Sequence, residues 1–169
     1  MRNYFFDTSA LTPRYDSGKF TQRINLIFNG KDRSLYICDL TLVEMSSALA
    51  QIYRKRNLTT GEFYRMRALF EDDIANGLLL VRPVTQPDLI SARDLLEEAA
   101  VLNGRDLRSS DAIIAATCRG LAYSIKRRMI FYTRDWPLYS SVRSIQSYRS
   151  ALKLRYLGKG KGGIPAQTG

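Results

Sequence analysis

Four acids stand where chemistry is easily done: Asp7 in Phe5-Phe6-Asp7-Thr8-Ser9, Glu44 in Thr41-Leu42-Val43-Glu44, Asp111 in Ser109-Ser110-Asp111 and Asp135 in Thr133-Arg134-Asp135. The chain contains no histidine. That removes the usual general base, the commonest zinc ligand and every Ser–His or Cys–His nucleophile. Hydrolysis would have to run on carboxylates, on lysine or on a metal held by oxygen. Carboxylates gathered in one small pocket repel and raise one another's pKa. A hard cation that prefers oxygen ligands, Mg²⁺ or Mn²⁺, would relieve that repulsion.

Each acid also has an ordinary reading. Asp7 with Thr8 and Ser9 makes a side-chain-to-backbone turn. Thr41 and Glu44 match a capping box, Asp111 suits the first turn of a helix, and Asp135 can cap a turn before Trp136-Pro137. What decides between solitary and collective roles is where the elements carry these residues.

Residues 3–7 and 34–38 read as strands. Leu42, Met45, Leu49 and Ile52 form a helical stripe, and a second helix opens at Thr59 with Phe63, Met66, Leu69, Phe70 and Ile74 on one face and Gly77 as its stop. A short strand at 78–81 and a helix over 87–101 follow. An Ala/Ile-rich helix over 109–121, a strand at 129–132 and a last strand at 142–145 complete the pattern. Strands alternating with long helices predict an α/β fold, a helix-flanked and mainly parallel central sheet of four to five strands. In such a fold Asp7 and Asp135 follow strands, while Glu44 and Asp111 open helices, at the same sheet edge. That edge is where ligands bind.

The net charge of +10 is unevenly placed. Residues 1–118 carry 15 basic and 15 acidic side chains; residues 119–169 carry 11 basic ones against the single acid Asp135. The asymmetry fits an anionic partner, and equally a solubilising tail. Two cysteines, Cys38 and Cys118, are too few for a disulfide framework or a zinc site and read as core residues. No apolar run approaches the roughly 20 residues that span a bilayer, so the expectation is a cytoplasmic protein without membrane contact.

The segments 5–11 (FFDTSAL), 41–49 (TLVEMSSAL), 107–117 (LRSSDAIIAAT) and 131–139 (FYTRDWPLY), in that order, resemble a PIN-domain ribonuclease, most of all the small VapC-type toxins of toxin–antitoxin systems. The likeness covers residues 3–145. It implies a PIN-like three-layer sandwich, here residues 1–146, followed by a basic C-terminal extension, 147–169. It also implies that Asp7, Glu44, Asp111 and Asp135 organise one or two Mg²⁺ or Mn²⁺ ions for phosphodiester hydrolysis, with Ser9 and Thr133 supporting them. Asp106 is an extra acid outside the pattern and reads as a loop residue.

RNA, the implied substrate, would meet Arg105, Arg108, Lys126, Arg127, Arg128 and Arg134 around the third and fourth motifs, although residues 126–128 also read as an ordinary polar loop. Tyr148, Arg149, Lys153, Arg155 and Tyr156 interleave aromatic and basic residues, as single-strand binders do. A cognate antitoxin is the implied protein partner, and the resemblance allows a homodimer. Two other readings compete: a non-catalytic RNA-binding or assembly module of PIN-like fold, and a haloacid-dehalogenase-type phosphatase. The phosphatase would need a second aspartate where Ser9 stands.

Overall fold

The computed structural model describes residues 1–16, 20–103 and 106–158. Five strands, β1 (Arg2–Phe6), β2 (Arg33–Cys38), β3 (Leu80–Arg82), β4 (Met129–Thr133) and β5 (Leu152–Tyr156), form one parallel sheet in the order β3-β2-β1-β4-β5. Every crossover is helical, as parallel strands demand. Helices α1 (Thr8–Leu11), α2 (Thr21–Phe28), α3 (Leu40–Lys55) and α4 (Thr60–Ala75) fill the first two crossovers. Helices α5 (Gln86–Asn103), α6 (Ser109–Ser124), α7 (Trp136–Ser144) and α8 (Gln146–Ala151) fill the last two.

The period-2 alternation of the strands divides the core in two. Phe5 and Phe131 share a core with Leu95 and Ala99 of α5, Ile114 and Ala115 of α6, Leu138 and Val142 of α7 and Tyr148 of α8. Phe6, Leu35 and Ile37 face the other way, onto Leu11, Ile24, Met45 and Phe70. The result is the three-layer sandwich that the alternating pattern predicts. Cys38 and Cys118 are buried free thiols in one of these cores. Among the described residues no helix is long and apolar enough to cross a membrane.

Local chemistry explains most element ends. The capping box sits not at Thr41–Glu44 but at Thr59–Glu62, where Glu62 Oε2 accepts from the Thr59 amide at 2.8 Å and Thr59 Oγ1 accepts from the Glu62 amide at 3.3 Å. Helix α4 then stops at Gly77, whose φ of 67° is the left-handed value that favours glycine. Helix α3 begins two residues earlier than its apolar stripe, capped by Asp39, whose carboxylate accepts from the Leu40 amide.

Three regions depart from the sequence reading. Helices α1 (Thr8–Leu11) and α2 (Thr21–Phe28) form where no element is predicted. Residues 142–145 are not a strand: α7 runs through to Ser144, capped by Asp135 and started by Pro137. The last strand is instead β5, which pairs with β4 from Met129↔Leu152 to Thr133↔Tyr156. The stretch set apart as a C-terminal extension therefore begins with a helix and an edge strand of the sheet, and the sheet does not end at residue 146.

A partly buried ion pair ties α4 to the first crossover. Arg14 Nε and Nη2 donate to Asp73 Oδ2 and Oδ1 at 2.5 and 2.8 Å, and the Tyr15 hydroxyl donates to Asp73 Oδ2 at 2.8 Å. The guanidinium also lies 4.0 Å from the Phe28 ring centroid. Bidentate pairing inside an aromatic wall is the arrangement in which such a charge pair holds its elements in register.

Candidate active site

The order of the strands reverses between β1 and β4, which makes their carboxyl ends the crevice of an open α/β sheet. Asp7 leaves β1 and Asp135 follows β4 across this crevice. Thr133 joins them: its hydroxyl donates to Asp7 Oδ2 at 2.9 Å and accepts from the Asp135 amide at 2.9 Å. Ser9 Oγ donates to the same Asp7 oxygen and accepts from the Arg134 amide at 2.8 Å. Two hydroxyls thus fix one oxygen of Asp7, and Oδ1 accepts no hydrogen bond among the described residues.

Glu44 comes from the second turn of α3 and points back to the start of α1, where Thr8 Oγ1 donates to its Oε2 at 2.5 Å. Its role is therefore not the helix cap that Thr41-Leu-Val-Glu44 suggests. Thr8 is a site residue that the sequence reads as part of a turn; only its place beside Asp7 marks it. Asp111 lies in the first turn of α6, where the helix dipole favours negative charge. Asp111 is 7% exposed, and its carboxylate accepts no hydrogen bond among the described residues. Asp135 does cap α7, accepting from the Leu138 amide at 2.8 Å, and still belongs to the cluster.

The electrostatics show that the four acids sense one another. Burial, the dominant cause, and the charges of Glu44 and Asp135 push Asp7 up to about 6, against the opposing hydrogen bonds from Ser9 and Thr133. Asp111 is pushed up to about 7 by burial and then by Asp7, Asp135 and Glu44, with Arg108 pulling the other way. Two carboxylates titrating near neutrality mark a site where a proton or cation is wanted.

The cluster is not a closed liganding shell. Among the described residues no three acidic or cysteine side chains converge tightly enough to hold a metal ion as they stand. The donor set nevertheless fits a hard divalent cation: every group is a carboxylate oxygen, and the Asp7 Oδ1 and Asp111 oxygens are unspent.

The basic residues divide. Arg108 stands at the N-cap position of α6 without a side-chain capping bond, close enough to Asp111 for its charge to be felt there. Arg134 is exposed on the β4–α7 loop, its guanidinium 5.0 Å from the Phe20 ring centroid. Lys126, Arg127 and Arg128 lie before β4, at the opposite sheet edge, about 15 Å away at a strand's rise per residue. Arg128 is spent on structure there, donating to the Arg149 and Leu152 carbonyls. The site does not bring these three together with the acids. Arg105 lies outside the described residues. Asp106 is an exposed loop residue. Tyr148 is no surface aromatic but a core residue, 1% exposed, with Arg119 over its ring at 4.4 Å.

On the α3–α4 side a groove of about 290 Å³ is lined by Leu42, Ser46, Leu49, Phe63, Phe70 and Ile74, with Arg67 and Glu71 at its margin.

Comparison with known proteins is consistent with this geometry. The family model for the PIN domain matches residues 4–139. The fold is similar to that of VapBC2 from Rickettsia felis bound to a DNA fragment from their promoter, at 14% identity and a TM-score of 0.57, covering 90% of this chain and 98% of that one. FitAcB from Neisseria gonorrhoeae is similar at 16% identity and a TM-score of 0.57, covering 88% of this chain and 95% of that one. VapBC-5 from Mycobacterium tuberculosis, described as a member of the VapBC family of toxin–antitoxin systems, is similar at 16% identity and a TM-score of 0.53, covering 93% of this chain and all of that one. A search of curated proteins finds no match.

Proposed function

The chain belongs to the PIN-domain family, and on that premise we propose that it is a divalent-metal-dependent ribonuclease, the toxin of a toxin–antitoxin pair. The observation that carries the reading is the convergence of Asp7, Glu44, Asp111 and Asp135 on the switch-point crevice, with Asp7 and Asp111 both raised toward neutrality. A degenerate binding module would have no reason to keep four mutually repelling acids.

Asp7 and Asp111 are the residues to hold Mg²⁺ or Mn²⁺ directly, through the oxygens no protein group occupies. Glu44 and Asp135 would complete its ligand set. Such a cation supplies an acidified water and neutralises charge on the phosphate during hydrolysis. The chain's own residues set the frame. Thr133 and Ser9 hold Asp7 in one rotamer, Thr8 orients Glu44, and the α6 amino end places Asp111. Arg108 and Arg134 supply the positive charge that an RNA phosphate needs to approach an acidic site.

The groove between α3 and α4 supports the second half of the reading. Its apolar floor with Arg67 and Glu71 at the margin suits an amphipathic helical segment of an antitoxin.

The test is cleavage of a mixed RNA pool by purified protein with Mg²⁺ or Mn²⁺, repeated in EDTA, beside Asp111→Asn. Metal-dependent cutting that the variant loses by a hundredfold or more is the expected result. Cutting that survives EDTA, or that Asp111→Asn retains, would overturn the carboxylate mechanism.

A further inference from the structure

Next to the acids lies an aromatic group that the catalytic reading does not use. Trp136, the residue after Asp135, packs its ring 5.5 Å from Tyr139 and 5.2 Å from Tyr156, and Tyr139 and Tyr156 are 5.4 Å apart. Trp136 and Tyr139 come from the first turn of α7. Tyr156 comes from the end of β5, in register with Thr133, the residue that bridges Asp7 and Asp135. Parallel partners in register point to the same face, so Tyr156 stands one strand spacing from the acidic crevice, about 4.8 Å along the sheet.

These rings are not core. Phe5 and Phe131 are fully buried, whereas Trp136, Tyr139 and Tyr156 are each only half-buried. Three large aromatic faces held at the water boundary keep apolar area exposed that folding alone would hide. They are also held still: beyond β5 the backbone passes so close that a Cβ at Gly158 would fall on the Tyr156 ring. Cationic groups border them. Arg143 is exposed, lies 5.9 Å from the Tyr139 ring centroid and has no acidic partner among the described residues. Arg134 flanks Asp135 on the other side.

We propose that Trp136, Tyr139 and Tyr156 form a stacking platform for an unpaired base of the RNA substrate, adjacent to the scissile phosphate held at the acids, with Arg143 on the neighbouring phosphate. A flat π-face beside a positive charge is the surface that single-stranded nucleic acid recognises. A duplex cannot use it, because its bases are already stacked. The platform thus selects for a loop, bulge or strand end and sets which nucleotide lies over the acids. This inference rests on the ribonuclease reading.

Trp136 is the only tryptophan in the chain, so its fluorescence reports on this site alone. The experiment titrates full-length Asp111→Asn protein in EDTA with short single-stranded RNA, the same RNA with abasic positions, and a duplex of equal charge. Binding is followed in parallel by anisotropy of a label on the RNA. Single-stranded RNA should quench Trp136 and bind about 5- to 150-fold more tightly than the abasic strand, the range for one base–aromatic stack. A Tyr139→Leu change should erase most of that difference. A Gly158→Ala change, which displaces the Tyr156 ring without removing it, should weaken only the base-dependent part. RNA binding with no quenching and no base dependence would overturn the platform and leave the nuclease standing. Failure of every RNA to bind would overturn both.

Discussion

Replacing Asp7 by asparagine should abolish cleavage and yet make the metal-free protein more stable. The carboxyl is raised from 3.8 to about 6, mainly by burial. At about 1.36 kcal/mol per pKa unit, the ionised group costs the folded state about 3 kcal/mol above pH 6. Because the folded-state pKa lies above the unfolded one, the folded chain holds the proton more tightly between about pH 4 and pH 6. The stability this gives is fully present below pH 4 and is lost as the pH rises through 6. Asparagine carries no charge at any of these values, and its carbonyl still accepts from Thr133. In EDTA, urea unfolding of wild type and Asp7→Asn should therefore coincide near pH 4. They should separate by about 3 kcal/mol at pH 8, a Tm difference of roughly 6–12 °C for a chain of this size. Added Mg²⁺ should raise the wild type toward the variant and leave the variant where it was. A variant less stable than wild type at pH 8, or a gap independent of pH, would refute the argument that Asp7 is held charged against a folding cost.

Two further outcomes test the frame around the site. Asp73→Ala should destabilise the fold by about 3–5 kcal/mol in denaturant titration, because it strands the Arg14 guanidinium in a largely buried setting; a loss under 1 kcal/mol would show that water reaches the pair. Ser46→Trp, from an exposed position on α3, should fill the α3–α4 groove and weaken the cognate antitoxin's binding at least tenfold in calorimetry, while RNA cleavage by the free protein stays as it was. Unchanged antitoxin affinity would place that partner elsewhere.

The sheet was legible where sequence pattern and burial agree. Tyr4-Phe5-Phe6 and Met129-Ile-Phe-Tyr132 are apolar on both faces because their strands are central, and an acid directly after such a run stands out. Strand β5 was not legible for the opposite reason. Leu152-Lys-Leu-Arg-Tyr156 is an edge strand, where charged side chains are tolerated, so it resembles a basic tail. Val142 and Ile145 look like strand residues, but the Asp135 cap and Pro137 had already committed that segment to a helix. The acids themselves were legible by type and order. Their holders, Thr8 above all, were not, because a hydroxyl meeting Glu44 from 36 residues away leaves no local pattern.

The hydrogen bond from Thr133 to Asp7 joins residues 126 apart, and this has a consequence for synthesis. During translation β1 emerges first but cannot pair on its inner side until β4 has been made. A growing chain that stops short of Met129 carries Asp7, Glu44 and Asp111 with only Ser9, and no Thr133, to hold Asp7, and with no Asp135 across the crevice. The pocket comes into being only once residues 133–135 have been made, so a shorter nascent chain carries three of the four acids without the frame that brings them together. By then the α3–α4 groove, lined by residues between Leu42 and Ile74, has already been made, so the groove precedes the crevice in the order of synthesis.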